Sequence, residues 1–236
     1  MPVDKSGARV QRMFGQIAPQ YDRLNHLLSL SADRYWRWRT VRIVPARSGL
    51  PILDVCTGTG DLAFAFHRRT GGRVRIVGVD FCREMLAIGE DKKRRAGIAD
   101  EVTFVEADAQ ELPFDDNHFQ IAAVAFGLRN VADTDRGLRE MTRVCAPGGR
   151  VAVLEFSLPS RSPWRALYGW YFRRILPRIG QYLARNSEHA YAYLPASVGE
   201  FPTGRELLAR MEAAGLHDLR CHPFTLGIAS LHVGEK

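Results

Sequence analysis

The chain is poor in cysteine. Cys56, Cys82, Cys145 and Cys221 are the only four among 236 residues, scattered without a Cys-x-x-Cys pair and without clustered histidines. That spacing excludes a disulfide framework and a zinc site, and each thiol sits in an apolar or helical stretch where it reads as a small core residue in a reducing compartment. Long apolar runs are lacking too. No stretch approaches the roughly 20 residues needed to cross a bilayer, and the opening MPVDKSGARVQRMF has no apolar core of a secretory signal. Repeats and low-complexity tracts are absent. These absences lead us to expect a cytoplasmic chain with no transmembrane helix and no metal ligand set.

What is present suits one globular unit. Hydrophobic residues make up 46% and charged residues 25%, and the length fits one decorated α/β domain better than two. The net charge of +7 is compatible with nucleic acid, an anionic membrane surface, or a merely arginine-rich composition. The position of the arginines says more than their total. Arg161 to Arg185 carries six arginines and six aromatics without one acid.

From Ile52 onward, short β-branched runs alternate with helical stretches. The runs 52–56, 74–79, 102–107, 119–126 and 150–156 are continuously apolar, as in a parallel sheet buried on both faces. Asp61–Arg69, Arg83–Arg95 and Thr134–Cys145 are long enough for crossover helices, and Pro147-Gly148-Gly149 reads as the turn that ends the last of them. This order predicts a doubly wound parallel sheet with right-handed crossovers. A last helix over 204–214 and two closing strands, near 217–221 and 228–233, complete a mostly parallel seven-stranded α/β architecture. The expected single domain divides into a helical cap (1–50), a core (51–157), a helical insertion (158–202) and a closing unit (203–236). In the cap, Phe14, Ile17, Ala18 and Tyr21 follow helical spacing. Cap and insertion are expected over the carboxyl ends of the strands, where open α/β sheets bind ligands.

The first strand runs into Asp54-Val-Cys-Thr-Gly58-Thr59-Gly60-Asp61-Leu-Ala63, and Asp80, twenty residues past Gly60, ends the second strand. Gly58, Gly60 and Ala63 fit the dinucleotide fingerprint G-x-G-x-x-G/A, so a nicotinamide site competes. Charge separates the readings. A pyrophosphate docks on the positive end of a helix, and Asp61 puts a carboxylate in that first turn. Asp54 and Asp108 add further acids. A ligand without phosphate, with an adenosine at one end and a positive sulfonium and amine at the other, suits this pocket: S-adenosylmethionine. Gly58 and Gly60 would let backbone approach it. Asp80 would accept from both ribose hydroxyls, Asp108 from the adenine amine, with the Ala109 N–H to the ring. Thr59 and Asp61 would face the methionine end. Asp108 reads equally well as a solvated loop acid.

These residues, in this order, resemble the class I S-adenosylmethionine-dependent methyltransferases. Further motifs narrow the likeness: Phe126-Gly-Leu-Arg-Asn-Val131, Pro147-Gly-Gly-Arg-Val151, Leu154-Glu-Phe-Ser157, the early Tyr21-Asp22-x-x-Asn25 with Leu28-Ser29 and Trp36-Arg37, and the late Tyr193-Leu194-x-x-Ser197-Val198-x-x-Phe201-Pro202. Together they resemble the prenyl-quinone C-methyltransferases of menaquinone and ubiquinone biosynthesis, from about residue 10 to residue 234. Ala125 stands where some members have a cofactor-contacting serine, Asp33 where a histidine is often found, and Cys145-Ala146 replaces the common Leu-Lys.

The resemblance implies methyl transfer to a ring carbon of a prenylated quinol, demethylmenaquinol first and 2-polyprenyl-6-methoxybenzoquinol second. Such a reaction needs loss of a phenolic proton and alignment of two substrates, and the positive sulfur implies no metal. Arg129 would stabilise the phenolate, with Asn130 and Tyr21 completing the hydrogen bonds. Arg129 reads equally as a loop salt bridge. Asp22 and Asn25 read equally as helix caps, and a structural role is expected for His26. Because the acceptor lives in the bilayer, transient membrane contact is expected at its inner face. Trp164, Leu167, Tyr168, Tyr171 and Ile175 share one helical face, with Trp170 widening it, which fits an interfacial helix or a lid over the site. The rivals are a dehydrogenase, a nucleic-acid methyltransferase using the arginine-aromatic segment, and an inactive cofactor-binding scaffold. No nucleic-acid partner is expected under the leading reading, and a homodimer stays open.

Overall fold

The computed structural model describes residues 4–159, 164–171, 174 and 190–236. A seven-stranded sheet forms its centre, in the order β3-β2-β1-β4-β5-β7-β6. The strands are β1 (Ile52–Val55), β2 (Ile76–Asp80), β3 (Val102–Glu106), β4 (Phe119–Ala125), β5 (Cys145–Phe156), β6 (His217–Phe224) and β7 (Ala229–Glu235). β1 to β5 pair in parallel, and β7 enters antiparallel between β5 and β6. The chain order reverses beside β1, so the carboxyl ends of β1 and β4 border the crevice in which such sheets bind ligands.

The helices that connect these strands are α4 (Asp61–Thr70), α5 (Arg83–Ala96), α6 (Thr134–Val144) and α9 (Arg205–Ala213). α4 and α5 each stop at a left-handed glycine, Gly71 and Gly97, after basic last turns that complement the helix dipole. The apolar strands bury both faces. One core joins Ile52, Ile76, Ile121 and Leu154 to Phe66 and Trp36. The other joins Leu53, Val79, Val124 and Val153 to Leu138 and Met211. The cap consists of α1 (Gly7–Ile17), α2 (Tyr21–Leu28) and α3 (Ala32–Ile43).

Two expectations change. Pro147-Gly148-Gly149 does not end α6. It lies inside β5 as a bulge, where the register jumps from Phe119↔Cys145 to Ile121↔Arg150. Gly148 takes φ +71° there and donates to the terminal Lys236 carbonyl, so the extra residues are absorbed without breaking the strand. Cys221 is exposed rather than a core residue, while Cys82 and Cys145 are buried as expected. Burial pushes the Cys82 thiol up to about 12 and the Cys145 thiol to about 11, so neither is an activated nucleophile.

The insertion contributes α7 (Trp164–Trp170) and α8 (Ala190–Glu200). The interfacial face expected there divides. Tyr168 and Tyr171 turn inward to pack on the cap, whereas Trp164 and Trp170 are exposed. Ile175 and the Leu167 side chain lie outside the described residues. Among the described residues no helix is long and apolar enough to cross a membrane.

Candidate active site

The strand-to-helix turn after β1 is held by two carboxylates. Asp54, 1% exposed, accepts from Thr57 Oγ1 at 2.6 Å and from the Ala63 N–H at 2.9 Å. It therefore braces the loop from behind, and it is not among the side chains that line the cavity at this turn. Burial raises its acid to about 7 against the pull of those two donors. Asp80 does reach the wall. One oxygen accepts from the Gly58 N–H at 2.8 Å, the other from the Cys82 N–H at 2.9 Å. Burial lifts its acid to about 6, partly offset by these backbone donors.

The two glycines also separate. A Cβ on Gly58, at φ +57°, would meet nothing within 4 Å, so this position faces open space at the cavity. A Cβ on Gly60, at φ +87°, would stand 2.6 Å from Phe104 and 2.9 Å from Phe64. The absence of a side chain at Gly60 thus lets the Phe104 and Phe64 rings pack against the start of α4.

The cavity at this turn is lined by Gly58, Thr59, Asp61, Asp80, Asp108, Ala109, Ala125 and Asn130, which gathers most of the expected cofactor residues. Asp108 is exposed and bonded to Gln110, and Ala109 is buried. Asn130 Oδ1 is buried with no partner among the described residues, an acceptor left for a ligand. With the open space at Gly58, the Asp80 carboxylate at the end of β2 and this orphaned oxygen, the wall fits S-adenosylmethionine. A pyrophosphate fits poorly, because Asp61 begins α4 behind the left-handed Gly60.

The cap tightens this site through ion pairs that include Lys92, which the sequence did not single out. Lys92 of α5 pairs with Asp22 at 2.5 Å and Asp61 at 2.8 Å and donates to Thr59, whose hydroxyl in turn donates to Asp22. Asp22 is therefore a tie between the cap and the glycine loop. Burial would raise the Asp61 acid, but the Arg37 and Lys92 cations outweigh it and hold the carboxyl below its ordinary value. Arg37, on α3, pairs with Asp33 at 2.6 Å. His26 Nδ1, seven residues earlier in the chain, lies 2.8 Å from the same carboxylate. Although His26, Asp33 and Asp61 come within 4.8 Å of one another, the Arg37 guanidinium already serves this cluster as its cation.

A second cavity, about 510 Å³, lies between the cap, α7, α8 and the β6–β7 turn. Its wall is mainly apolar and aromatic. Trp36, Phe126 and Phe156 pack on one another with centroids 4.5 to 5.9 Å apart. Two guanidinium groups rest on these rings, Arg37 over Phe126 at 5.3 Å and Arg129 over Phe156 at 5.4 Å. Arg129 belongs to this cavity and not to the first. Its Nη1 is held by Glu155 at 2.9 Å and by the Phe126 carbonyl, while its Nε is buried without a partner among the described residues. The Tyr193 hydroxyl, on the same wall, is also buried and unpartnered among them. Tyr21 faces both cavities. Burial raises its phenol, against the opposing pull of Arg129, Arg37 and a hydrogen bond with Asn25.

Sequence reasoning missed Glu155, Lys92 and the partners of Arg37. Glu155 was visible only as part of a motif, and its role depends on β5 running beside the loop after β4.

Known proteins share this architecture. A methyltransferase from Thermotoga maritima superposes with TM-score 0.66 at 19% identity, over 95% of this chain and 98% of that one. Phosphoethanolamine N-methyltransferase 2 from Haemonchus contortus, solved with S-adenosylmethionine, gives 0.58 at 16% identity over 85% and 52%. At such identities the fold alone is shared: that of class I S-adenosylmethionine-dependent methyltransferases. Sequence relatives are nearer. The ubiquinone/menaquinone biosynthesis C-methyltransferase UbiE of Geobacter sulfurreducens is 44% identical over 99% of this chain and 91% of its own. The demethylmenaquinone methyltransferase of Thermus thermophilus is 46% identical over 95% and 100%. With the family model itself matching residues 3–236, the glycine loop, its acids and the paired cavities have their explanation: the chain belongs to the ubiE/COQ5 methyltransferase family.

Proposed function

We propose that this protein moves a methyl group from S-adenosylmethionine to a ring carbon of a prenylated quinol, with demethylmenaquinol as the first acceptor. The observation that carries the reading is a shared wall. Phe14, Tyr21, Arg37 and Phe126 line both the polar cavity at the glycine loop and the apolar cavity beside it. A donor held in one and a lipophilic ring held in the other meet at these side chains.

Gly58, Thr59, Asp80, Asp108, Ala109, Ala125 and Asn130 are the residues to hold S-adenosylmethionine. It supplies, when bound, a methyl group on a positive sulfur. The chain's own task is to make a ring carbon nucleophilic, which means favouring the phenolate over the phenol. Arg37 and Arg129 bring two fixed positive charges to the cavity, and both already act on the Tyr21 phenol. They would favour a substrate phenolate in the same way. Arg129 Nε and the Tyr193 hydroxyl, each without a partner among the described residues, are available to the two quinol oxygens. Tyr21 orients the ring at the junction, and Asn130 works from the cofactor side. The aromatic wall of Trp36, Phe126 and Phe156 excludes water from the ring.

A benzoquinol of the ubiquinone series is the second acceptor, supported by the Geobacter relative, whose name covers both pathways. A prenyl tail brings the enzyme to the bilayer, so peripheral membrane contact belongs to this reading. The test is mass spectrometry of reduced demethylmenaquinol and of 2-polyprenyl-6-methoxy-1,4-benzoquinol, each incubated with protein and S-adenosylmethionine. We expect a gain of one CH2 unit in the naphthoquinol. No gain in either, with cofactor binding intact, overturns the acceptor.

A further inference from the structure

From the geometry we infer that the outer face of α3, with the tips of the two turns beside it, is the surface that docks on an anionic bilayer. The inference rests on a lipid-borne acceptor and names the surface that meets the lipid.

Backbone conformation and exposure coincide at two leucines. Leu30, at the α2–α3 corner, is 88% exposed at φ +52°, and Leu226, at the β6–β7 turn, is 67% exposed at φ +58°. Residues with a Cβ adopt this left-handed conformation at a cost, and glycine or asparagine normally supplies it. Water gives no return for a leucine at either tip. Sites where a fold sustains both penalties are candidates for function.

The two tips stand on one rim. Leu30 and Thr225, the neighbour of Leu226, both line the apolar cavity. Trp36 Nε1 donates to Thr225 Oγ1 at 2.8 Å, which fixes the β6–β7 turn against α3. Arg39 of α3 reaches over the Phe224 ring at 6.0 Å. On the insertion side, Tyr171 donates to the Leu28 carbonyl at 3.1 Å, and its neighbour Trp170 is exposed.

Between these tips the exposed side of α3 carries cations and aromatics only. Tyr35 and Trp38, about half exposed, stack on each other at 5.9 Å, and Arg42 lies over Trp38 at 4.2 Å. Arg34 and Arg39 are exposed as well, and the sole acid of the helix, Asp33, is buried against Arg37. Tyrosine and tryptophan favour the headgroup level, arginine favours anionic headgroups, and leucine favours the acyl boundary. The surface presents all three kinds of side chain, with Leu30 at the rim of the cavity proposed for the ring and Arg34, Trp38 and Arg42 along the neighbouring groove. Of the arginine-rich segment 161–185, the described Tyr168 and Tyr171 line the cavity, while Trp164 and Trp170 are exposed beside it.

The test is co-sedimentation of the full chain with vesicles of phosphatidylcholine alone or with phosphatidylglycerol. We expect binding that needs phosphatidylglycerol and weakens with salt. The pair Trp38→Ser with Leu226→Asp should lower partition at least roughly tenfold. Replacing Arg34, Arg39 and Arg42 by glutamine should lower it by roughly fivefold per arginine on anionic vesicles. Both variants should methylate a short-tailed, water-soluble quinol at the wild-type rate while losing turnover of a long-tailed quinol in vesicles. Wild-type protein that ignores anionic vesicles, or variants that bind them normally, would overturn the assignment. So would arginine-dependent binding of single-stranded RNA that outcompetes vesicles. Vesicle binding is read without methyl transfer, so an absence of turnover on either quinol would strike the acceptor alone.

Discussion

Arg129 and Glu155 form a buried ion pair, Nη1 to Oε2 at 2.9 Å, and the Arg129 backbone N–H donates to the other Glu155 oxygen at 3.2 Å. The carboxylate thus fixes both ends of the arginine and leaves only part of the guanidinium for a ligand. A charge-assisted fork of this kind sets direction as well as position.

Removing one partner of that pair leaves an uncompensated buried charge. Glu155→Ala should destabilise the protein by about 3–5 kcal/mol in urea unfolding. Arg129→Ala strands the Glu155 carboxylate and should carry a similar stability cost, and in the protein that remains folded it should abolish most quinol methylation while S-adenosylmethionine affinity, read by calorimetry, stays near wild type. Normal turnover by Arg129→Ala would remove that residue from the chemistry.

Cofactor affinity should fall in acid. In the ribose role proposed for it, Asp80 would accept from the hydroxyls with both oxygens only when ionised, and burial raises its acid to about 6. The deprotonated form therefore dominates above that value and is lost as pH falls through it. Dissociation constants should weaken about tenfold from pH 8 to pH 5, and Asp80→Ala should bind weakly at every pH. A flat profile for the wild type would contradict the ribose assignment.

The two glycines of the loop should fail differently. Gly60→Ala drives a Cβ to 2.6 Å from the Phe104 ring, so we expect a loss of about 3 kcal/mol in stability. Gly58→Ala meets no atom within 4 Å, so it should cost only about 1 kcal/mol of backbone strain but weaken the cofactor strongly. Thermal melts paired with binding isotherms distinguish the two.

His232 makes an independent pH prediction. Its imidazole is fully buried in β7, where burial acts against the opposing pull of a hydrogen bond with the Val153 backbone. Burial lowers its pKa to about 4, so the folded state keeps it neutral while the unfolded chain takes up a proton below about 6.5. Its contribution to stability is complete above that unfolded value and is lost as pH falls toward 4, at up to about 1.4 kcal/mol per pH unit. His232→Leu should flatten the decline in melting temperature over this window.

Much of the fold was legible because its signals are local. Continuous β-branched runs, crossover-length helices and turn glycines specify a parallel sheet within a few residues of each signal. The loop after β1, Asp80 at the end of β2 and Asp108 past β3 could be placed for the same reason: strand ends bring them to one edge. The motif at Phe126–Val131 likewise located Arg129 and Asn130, without separating the cavities they serve.

What the sequence determined by itself was therefore the sheet, its ligand-binding edge and the residue types at that edge. Tertiary structure alone decided which way those residues face. Asp54 and Asp80 are both carboxylates at strand ends, yet one turns behind the loop and the other toward the cavity. Glu155 meets Arg129 across 26 residues, and Trp36 meets Thr225 across 189. Hydrophobic periodicity repeats along the chain and can be read there. Contacts of that range exist only once packing has closed the loops between them, because their partners are chosen by the geometry of the assembled sheet and cap.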